Sequence, residues 1–166
     1  MAELTKLESK LGEVLGLAMA AQGATRKVKG MLAADGPEGL GDLLDRMHDE
    51  ASETEDRCTA VASELDGKKT AILEQARETK QSAVQMMETY LEGEDDALDG
   101  FEFLTMAEAG EVGHWSIVAR FNDQARLKKV GELVDWALPV QERHLRDVLG
   151  ASLDLADEED ASEIEG

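Results

Sequence analysis

The stretch that decides the fold is LDGFEFLTMAEAGEVGHWSIV, residues 98–118. Its apolar residues recur at the spacing of a helix with one buried face; they are Leu98, Phe101, Leu104, Ala107, Trp115 and Val118. Glu111 and His114 lie on the same face. Because a buried charge without a partner is unfavourable, we expect these two side chains to contact each other, a polar group on a facing helix, or a metal ion.

A second segment, residues 130–155, shows the same kind of interruption. Its apolar positions again follow helical spacing; they are Leu133, Ala137, Val140, Val148 and Ala151. Gln141 and His144 are set into this apolar face. If the two interrupted faces meet inside the protein, their polar side chains are candidates for one common site.

The rest of the chain also predicts helices. Aromatic residues make up 4% of the sequence and proline occurs twice, whereas residues that favour helices are frequent. Loop signals divide the chain into helical segments over residues 3–33, 38–65, 68–92, 98–121 and 123–156. Asp66-Gly67 is a weak break, so one long helix over residues 40–91 is the alternative. The length of 166 residues fits one domain over residues 1–156, followed by an acidic, disordered tail over residues 157–166.

These segments suggest how the helices are connected. Short loops make hairpins of the first two and of the last two helices. As a helix, residues 68–92 would span about 37 Å, which is long enough to cross the whole bundle. The fold is therefore all-α, either a four-helix bundle with one long helical crossover or an up-and-down bundle of five helices. Four glycines in the first segment indicate where another helix approaches closely; they are Gly12, Gly16, Gly23 and Gly30.

The composition restricts the class of partner. A formal net charge of −20 argues against binding to nucleic acid or to an anionic membrane surface, and favours cations or basic partners. A single cysteine, Cys58, excludes an internal disulfide, and we expect it to be buried and unreactive. The sequence shows no signal peptide and no membrane span, which predicts a soluble, cytoplasmic protein. Exposed helix faces could support a homodimer.

Two stretches carry a resemblance to a known family. They are FEFLTMAEAGEVGHWSIVARFNDQ, residues 101–124, and LVDWALPVQERHLRDVLGASLDLADEEDA, residues 133–161. This text resembles the ferritin-like helical-bundle proteins of bacteria, in particular their small members. The resemblance implies a ferritin-like four-helix bundle with a long helical crossover. It covers residues 101–156 in sequence and the earlier residues in architecture.

The resemblance also implies a di-metal centre, usually di-iron, held by Glu residues and Glu-x-x-His pairs. Glu111-Val112-Gly113-His114 matches such a pair. Gln141-Glu142-Arg143-His144 matches only in part, because the neutral Gln141 stands where the family has Glu. The implied ligands are Glu111, His114 and His144, with Gln141 and the half-exposed Glu108 as further ones. Ligands from the first two helices stay open among Glu8, Glu13, Asp45, His48, Glu50, Glu53 and Glu55.

Two hypotheses for the function follow. The first is a ferritin-like protein that binds iron or manganese and acts in iron or oxidative-stress handling, as the resemblance implies. The second is a metal-free helical bundle that serves as a protein-interaction or scaffold module, in which buried Glu111 and His114 contact each other. Gln141 is the strongest evidence against the first hypothesis, because a complete di-metal site would have Glu at this position. The sequence contains no phosphate-binding loop and no nucleophile motif beside a base.

Overall fold

The computed structural model of the chain describes residues 1–165 and contains five α-helices, with no strand among these residues. The helices are α1 (Lys6–Lys29), α2 (Leu40–Glu64), α3 (Lys69–Tyr90), α4 (Ala97–Ala125) and α5 (Lys128–Asp157). The predictions of an all-α fold and of five helical segments are confirmed. Of the predicted tail, residues 158–165 follow α5 without a further helix, and Gly166 lies outside the described residues.

Local signals explain two of the helix boundaries. At the start of α1, the Thr5 hydroxyl accepts a hydrogen bond from the backbone N–H of Glu8, whose carboxylate accepts one from the N–H of Thr5. Between α2 and α3 the chain turns at Gly67, which has φ +70°, a conformation that favours glycine. The turn separates the two helices and excludes one long helix over residues 40–91.

One predicted boundary is wrong. The sequence predicts that the fourth segment ends at residue 121, with Asn122-Asp123 as a turn or a cap, but α4 continues through this pair to Ala125 and is followed by Arg126, which has φ +55°. The Asn122 side chain donates a hydrogen bond to the carbonyl of Leu127 and accepts one from its N–H. Asn122 therefore fixes the loop that follows the helix instead of ending the helix itself.

Helices α1, α2, α4 and α5 form a four-helix bundle. α1 packs against α2 and α4, and α5 packs against the other sides of the same two helices. Each neighbouring pair is antiparallel, because residue numbers rise along one helix as those of their contacts fall along the other. The contacts are Gln22–Glu55 and Lys29–Asp45 between α1 and α2, Arg46–Asp147 and Glu50–Arg143 between α2 and α5, Lys10–His114 and Val28–Gly100 between α1 and α4, and Thr105–Ser152 and Glu108–His144 between α4 and α5. α2 and α4 therefore run in the same direction at opposite corners of the bundle.

Helix α3 lies outside the bundle, parallel to α1, and connects the end of α2 to the start of α4. A Cβ atom added at Gly12 would lie 2.7 Å from the Cβ of Gln75 and 2.9 Å from the Ile72 carbonyl oxygen. One added at Gly16 would collide with the carbonyl oxygen of Ala76. Two of the four glycines thus mark the closest helix approach, as predicted.

The core consists of two apolar clusters with a polar layer between them. One cluster surrounds Phe101 and Met47, and the other surrounds Trp115 and Val130. Between these clusters along the helices lie polar side chains that are at least nine-tenths buried; they are Thr54, Glu108, Glu111, Gln141 and His144. This polar layer is the candidate functional site.

Candidate functional site

Four of the five predicted site residues are buried in the polar layer: Glu108, Glu111, Gln141 and His144. Glu108 was expected to be half exposed, but only 2% of its surface is accessible. The reason is its position three residues before Glu111, which puts both side chains on neighbouring parts of the inner face of α4. The two interrupted helix faces therefore do meet inside the bundle.

His144 connects three helices. Its Nε2 atom lies 3.3 Å from Oε1 of Glu50 on α2, and its Nδ1 atom lies 3.7 Å from Oε2 of Glu108 on α4. Glu50 also accepts a hydrogen bond from the guanidinium of Arg143. Burial raises the pKa of the Glu50 carboxyl, but the hydrogen bonds from Arg143 and His144 outweigh it, so its pKa is lowered overall. Both ring nitrogens of His144 thus face a carboxylate.

Two buried oxygen atoms in this layer have no hydrogen-bond partner. They are Oε2 of Glu108 and Oε1 of Gln141. The Nδ1 atom of His144 lies 3.7 Å from Oε2 of Glu108, which is too long for a hydrogen bond. Because most buried polar atoms in folded proteins are satisfied, these two oxygens have an unmet capacity to accept a hydrogen bond or to bind a cation.

Glu111 is buried beside Glu108 but belongs to a different environment. Burial raises the pKa of its carboxyl well above the usual value, and the carboxylate of Glu108 raises it further. No hydrogen bond or ion pair among residues 1–165 involves this carboxyl. Glu111 also adds to the effect of burial in raising the pKa of the Cys58 thiol on α2. The expectation that Cys58 is buried is confirmed.

His114 lies apart from the other predicted ligands. Its Nδ1 atom is 3.1 Å from Nζ of Lys10 and 3.4 Å from the carboxylate of Glu13, both on α1. Its side chain is 36% exposed. Burial lowers its pKa and the positive charge of Lys10 lowers it further, while Glu13 opposes the change.

The predicted contact between Glu111 and His114 is thus not found among the described residues. Residues three apart on a helix differ in direction by about 60°. Here that difference turns His114 toward the surface of α1 while Glu111 points to the interior.

Glu50 is the site residue that the sequence identified least well. It was one of several carboxylates offered by the second helix, and none of them was preferred. Its position three residues after buried Met47 and four before buried Thr54 is the signal that could have singled it out. Asp45 and His48, the other candidates in that region, contact Lys29 and Asp49 respectively and lie outside the polar layer.

The resemblance implies a di-metal centre, and the polar layer contains the types of donor atom that such a centre needs. The layer provides carboxylate and amide oxygens and one imidazole, and these are donors that suit iron or manganese. However, no group of three or more His, Cys, Asp or Glu side chains within residues 1–165 is arranged so that it could hold a metal ion. The donor types fit a metal, and the arrangement of the side chains is that of ion pairs.

A cavity of about 200 Å³ opens beside the polar layer, between α1, α3 and α4. Its walls are mainly apolar, and its ionisable side chains are Glu108, Glu111 and His114. The cavity exists because α3 and α4 both pack against α1 but hardly against each other.

Comparison of the chain with family models, with curated proteins and with solved structures found no match. Within the described residues, every helix is too short or too polar to cross a membrane.

Proposed function

We propose that Glu50, Glu108, Gln141 and His144 bind a divalent metal ion, iron or manganese, inside a ferritin-like bundle, with rotation of their side chains from the ion-pair arrangement toward a common ion. These four residues come from three helices and provide three oxygen-donating side chains and one imidazole. Such a set suits both metals, and bundles build their metal sites from inward side chains of facing helices. The path of α3 along the outside of the bundle also supports a ferritin-like connection.

The observation that carries this proposal is the pair of unsatisfied oxygens, Oε2 of Glu108 and Oε1 of Gln141. Burial of a carboxylate is unfavourable unless a positive charge or hydrogen-bond donors compensate for it. A cation between these oxygens would satisfy both. When bound, iron or manganese would supply redox chemistry, either oxidation of Fe(II) or removal of peroxide, consistent with a role in iron or oxidative-stress handling.

The experiment is a measurement of metal content by mass spectrometry on protein expressed in medium supplemented with iron and manganese. We expect stoichiometric metal in the natural chain and its loss in the double variant Glu108→Gln, His144→Gln. The matched control is Glu102→Gln, His48→Gln, which changes the same residue types outside the polar layer and should retain the metal. Circular dichroism shows whether each variant is folded.

Two further readouts sharpen this test. His114→Ala should keep its metal, because His114 lies with Lys10 and Glu13 and not with His144. Addition of Mn(II) to metal-free protein should raise its melting temperature, because a ligand that binds only the folded state stabilises it. A natural chain without metal and without a thermal shift would refute the proposal, as would full metal content in the Glu108, His144 variant.

The second candidate is a metal-free bundle that serves as an interaction or scaffold module. It is favoured by one observation, namely that Glu50 already contacts both Arg143 and His144. In that case the polar layer is a set of internal ion pairs whose unsatisfied oxygens are hydrated. This candidate predicts no bound metal and the same melting temperature with and without Mn(II).

A further inference from the structure

The cavity between α1, α3 and α4 has the size and lining of a small-molecule site. Its volume is about 200 Å³, and a dry protein cavity of about 150 Å³ is large enough for benzene. Apolar side chains line it from all three helices: Leu17 and Ala21, Val84 and Met87, Phe103 and Ala107. Such a space accepts one six-membered ring with a short substituent.

The helix packing keeps this space open. The glycines of α1 hold α3 close to one side of α1, while Gly100 of α4 lies against Val28 on another side of the same helix. At one end, the rings of Tyr90 and Phe103 meet at 5.6 Å and bridge α3 and α4. A cavity between two helices that are each fixed to a third does not depend on the arrangement of a flexible loop.

Glu111 supplies the polar recognition element. Its surface is 5% exposed, it lines the cavity, and its carboxyl has no hydrogen-bond partner among the described residues. The other ionisable side chains that line the cavity are Glu108 and His114, and the His114 ring faces Lys10 on α1. At the neighbouring carboxyl groups of Glu111 and Glu108 an anionic ligand would be repelled, whereas a protonated amine would give Glu111 the partner that it lacks.

We propose that this cavity binds a small apolar amine, with the hydrocarbon part between α1, α3 and α4 and the ammonium group at Glu111. The amine nitrogen donates hydrogen bonds to the carboxylate, and the apolar part leaves water. Glu111 is not one of the four residues assigned to the metal, but Glu108 borders both sites. The amine is therefore tested on metal-free protein, so that the two proposals can fail independently.

The test uses three ligands of similar shape: benzylamine, benzyl alcohol and benzoate. Binding is measured by calorimetry and by amide chemical shifts on the full chain in the presence of EDTA, so that no metal can coordinate the amine. We expect benzylamine to bind at least about tenfold more tightly than benzyl alcohol, because hydrogen bonds to charged groups are stronger than neutral ones. Benzoate should bind most weakly of the three.

Two variants and a control identify the site. Glu111→Gln should remove the preference for the amine and leave the affinity for benzyl alcohol unchanged. Ala21→Leu, which fills the cavity from α1, should weaken both ligands, and Glu102→Gln on the outer side of α4 should change neither.

The proposal is refuted if benzylamine does not bind, if it binds no better than benzyl alcohol, or if Glu111→Gln keeps the preference. Amide shifts that lie away from the three lining helices would refute it as well, because they would indicate another binding site.

Discussion

The packing of α3 against α1 can be tested at a single atom. Gly16 lies where the two helices approach most closely, and an added Cβ would lie 2.8 Å from the Cβ of Thr79 and 3.0 Å from the backbone nitrogen of Lys80. It would also collide with the carbonyl oxygen of Ala76. Backbone atoms cannot move aside as a flexible side chain can, so Gly16→Ala requires α3 to shift away from α1.

The magnitude follows from two opposing effects. Overpacking of a tight contact costs about 1–3 kcal/mol, while replacing glycine by alanine inside a helix gains roughly 0.5–1 kcal/mol. The difference between these ranges is about 0–2.5 kcal/mol; because backbone atoms form the contact, the net loss should lie in the upper part of this range, about 1–2.5 kcal/mol. For a chain of this size each kcal/mol changes the melting temperature by about 2–4 °C, so Gly16→Ala should melt about 2–10 °C below the natural chain.

The matched control is Gly23→Ala in the same helix. A Cβ at Gly23 would meet no atom within 4 Å, so only the gain in helix propensity remains and the melting temperature should rise by about 1–4 °C. Thermal unfolding followed by circular dichroism measures both variants. The assignment of α3 to the glycine face of α1 is wrong if Gly16→Ala is as stable as Gly23→Ala.

Three further predictions concern titratable side chains. Since the folded-state pKa of Glu111 lies above its usual value of 4.5, the natural chain should lose stability as the pH rises from that value through the raised pKa. In EDTA, Glu111→Gln should therefore melt above the natural chain by a difference that increases with pH. A difference that stays constant from about pH 4 to 8 would contradict this prediction. The thiol of Cys58, whose pKa is raised by burial, should react with a thiol reagent only on unfolding; a reaction in the native state at the rate of a free thiol would show that Cys58 is accessible. The pKa of His114, lowered by burial and by Lys10, should lie below the usual value in an NMR titration and rise in Lys10→Met, and no rise would show that Lys10 does not act on the ring.

The elements that could be predicted from the sequence are those specified by local pattern. The apolar spacing on α4 and α5 identified their inner faces, and Asp66-Gly67 identified the end of α2 because a glycine with positive φ is a local requirement. Asn122 misled the prediction because an asparagine side chain can end a helix or fix the loop beyond it, and its partner at Leu127 decides between the two. That partner depends on the path of the following chain.

The site was harder to predict than the fold, for a physical reason. The Glu-x-x-His spacing suggests that Glu111 and His114 act together, but two side chains about 60° apart on a helix reach different neighbours when the bundle face is narrow. Glu111 reaches the interior, and His114 reaches Lys10 and Glu13 on α1. The residue that does contact His144 is Glu50, which lies 94 positions away in sequence. A single sequence contains no signal for that contact until the register of α2 against α5 is known.

Stability alone does not explain the polar layer, because buried ion pairs contribute little to stability. Burial of a carboxylate and an imidazole removes both from water, and apolar residues of similar volume commonly give equal or greater stability. Here two apolar clusters on either side of the layer show that the bundle has the side chains needed for a continuous apolar core. Between them, Glu108 and Gln141 nevertheless keep oxygens without partners, and Glu111 keeps a carboxyl without one at the wall of a cavity. These unmet hydrogen-bonding capacities lie in two places, and we assign a different occupant to each: a cation at the oxygens of Glu108 and Gln141, and an amine at the carboxyl of Glu111.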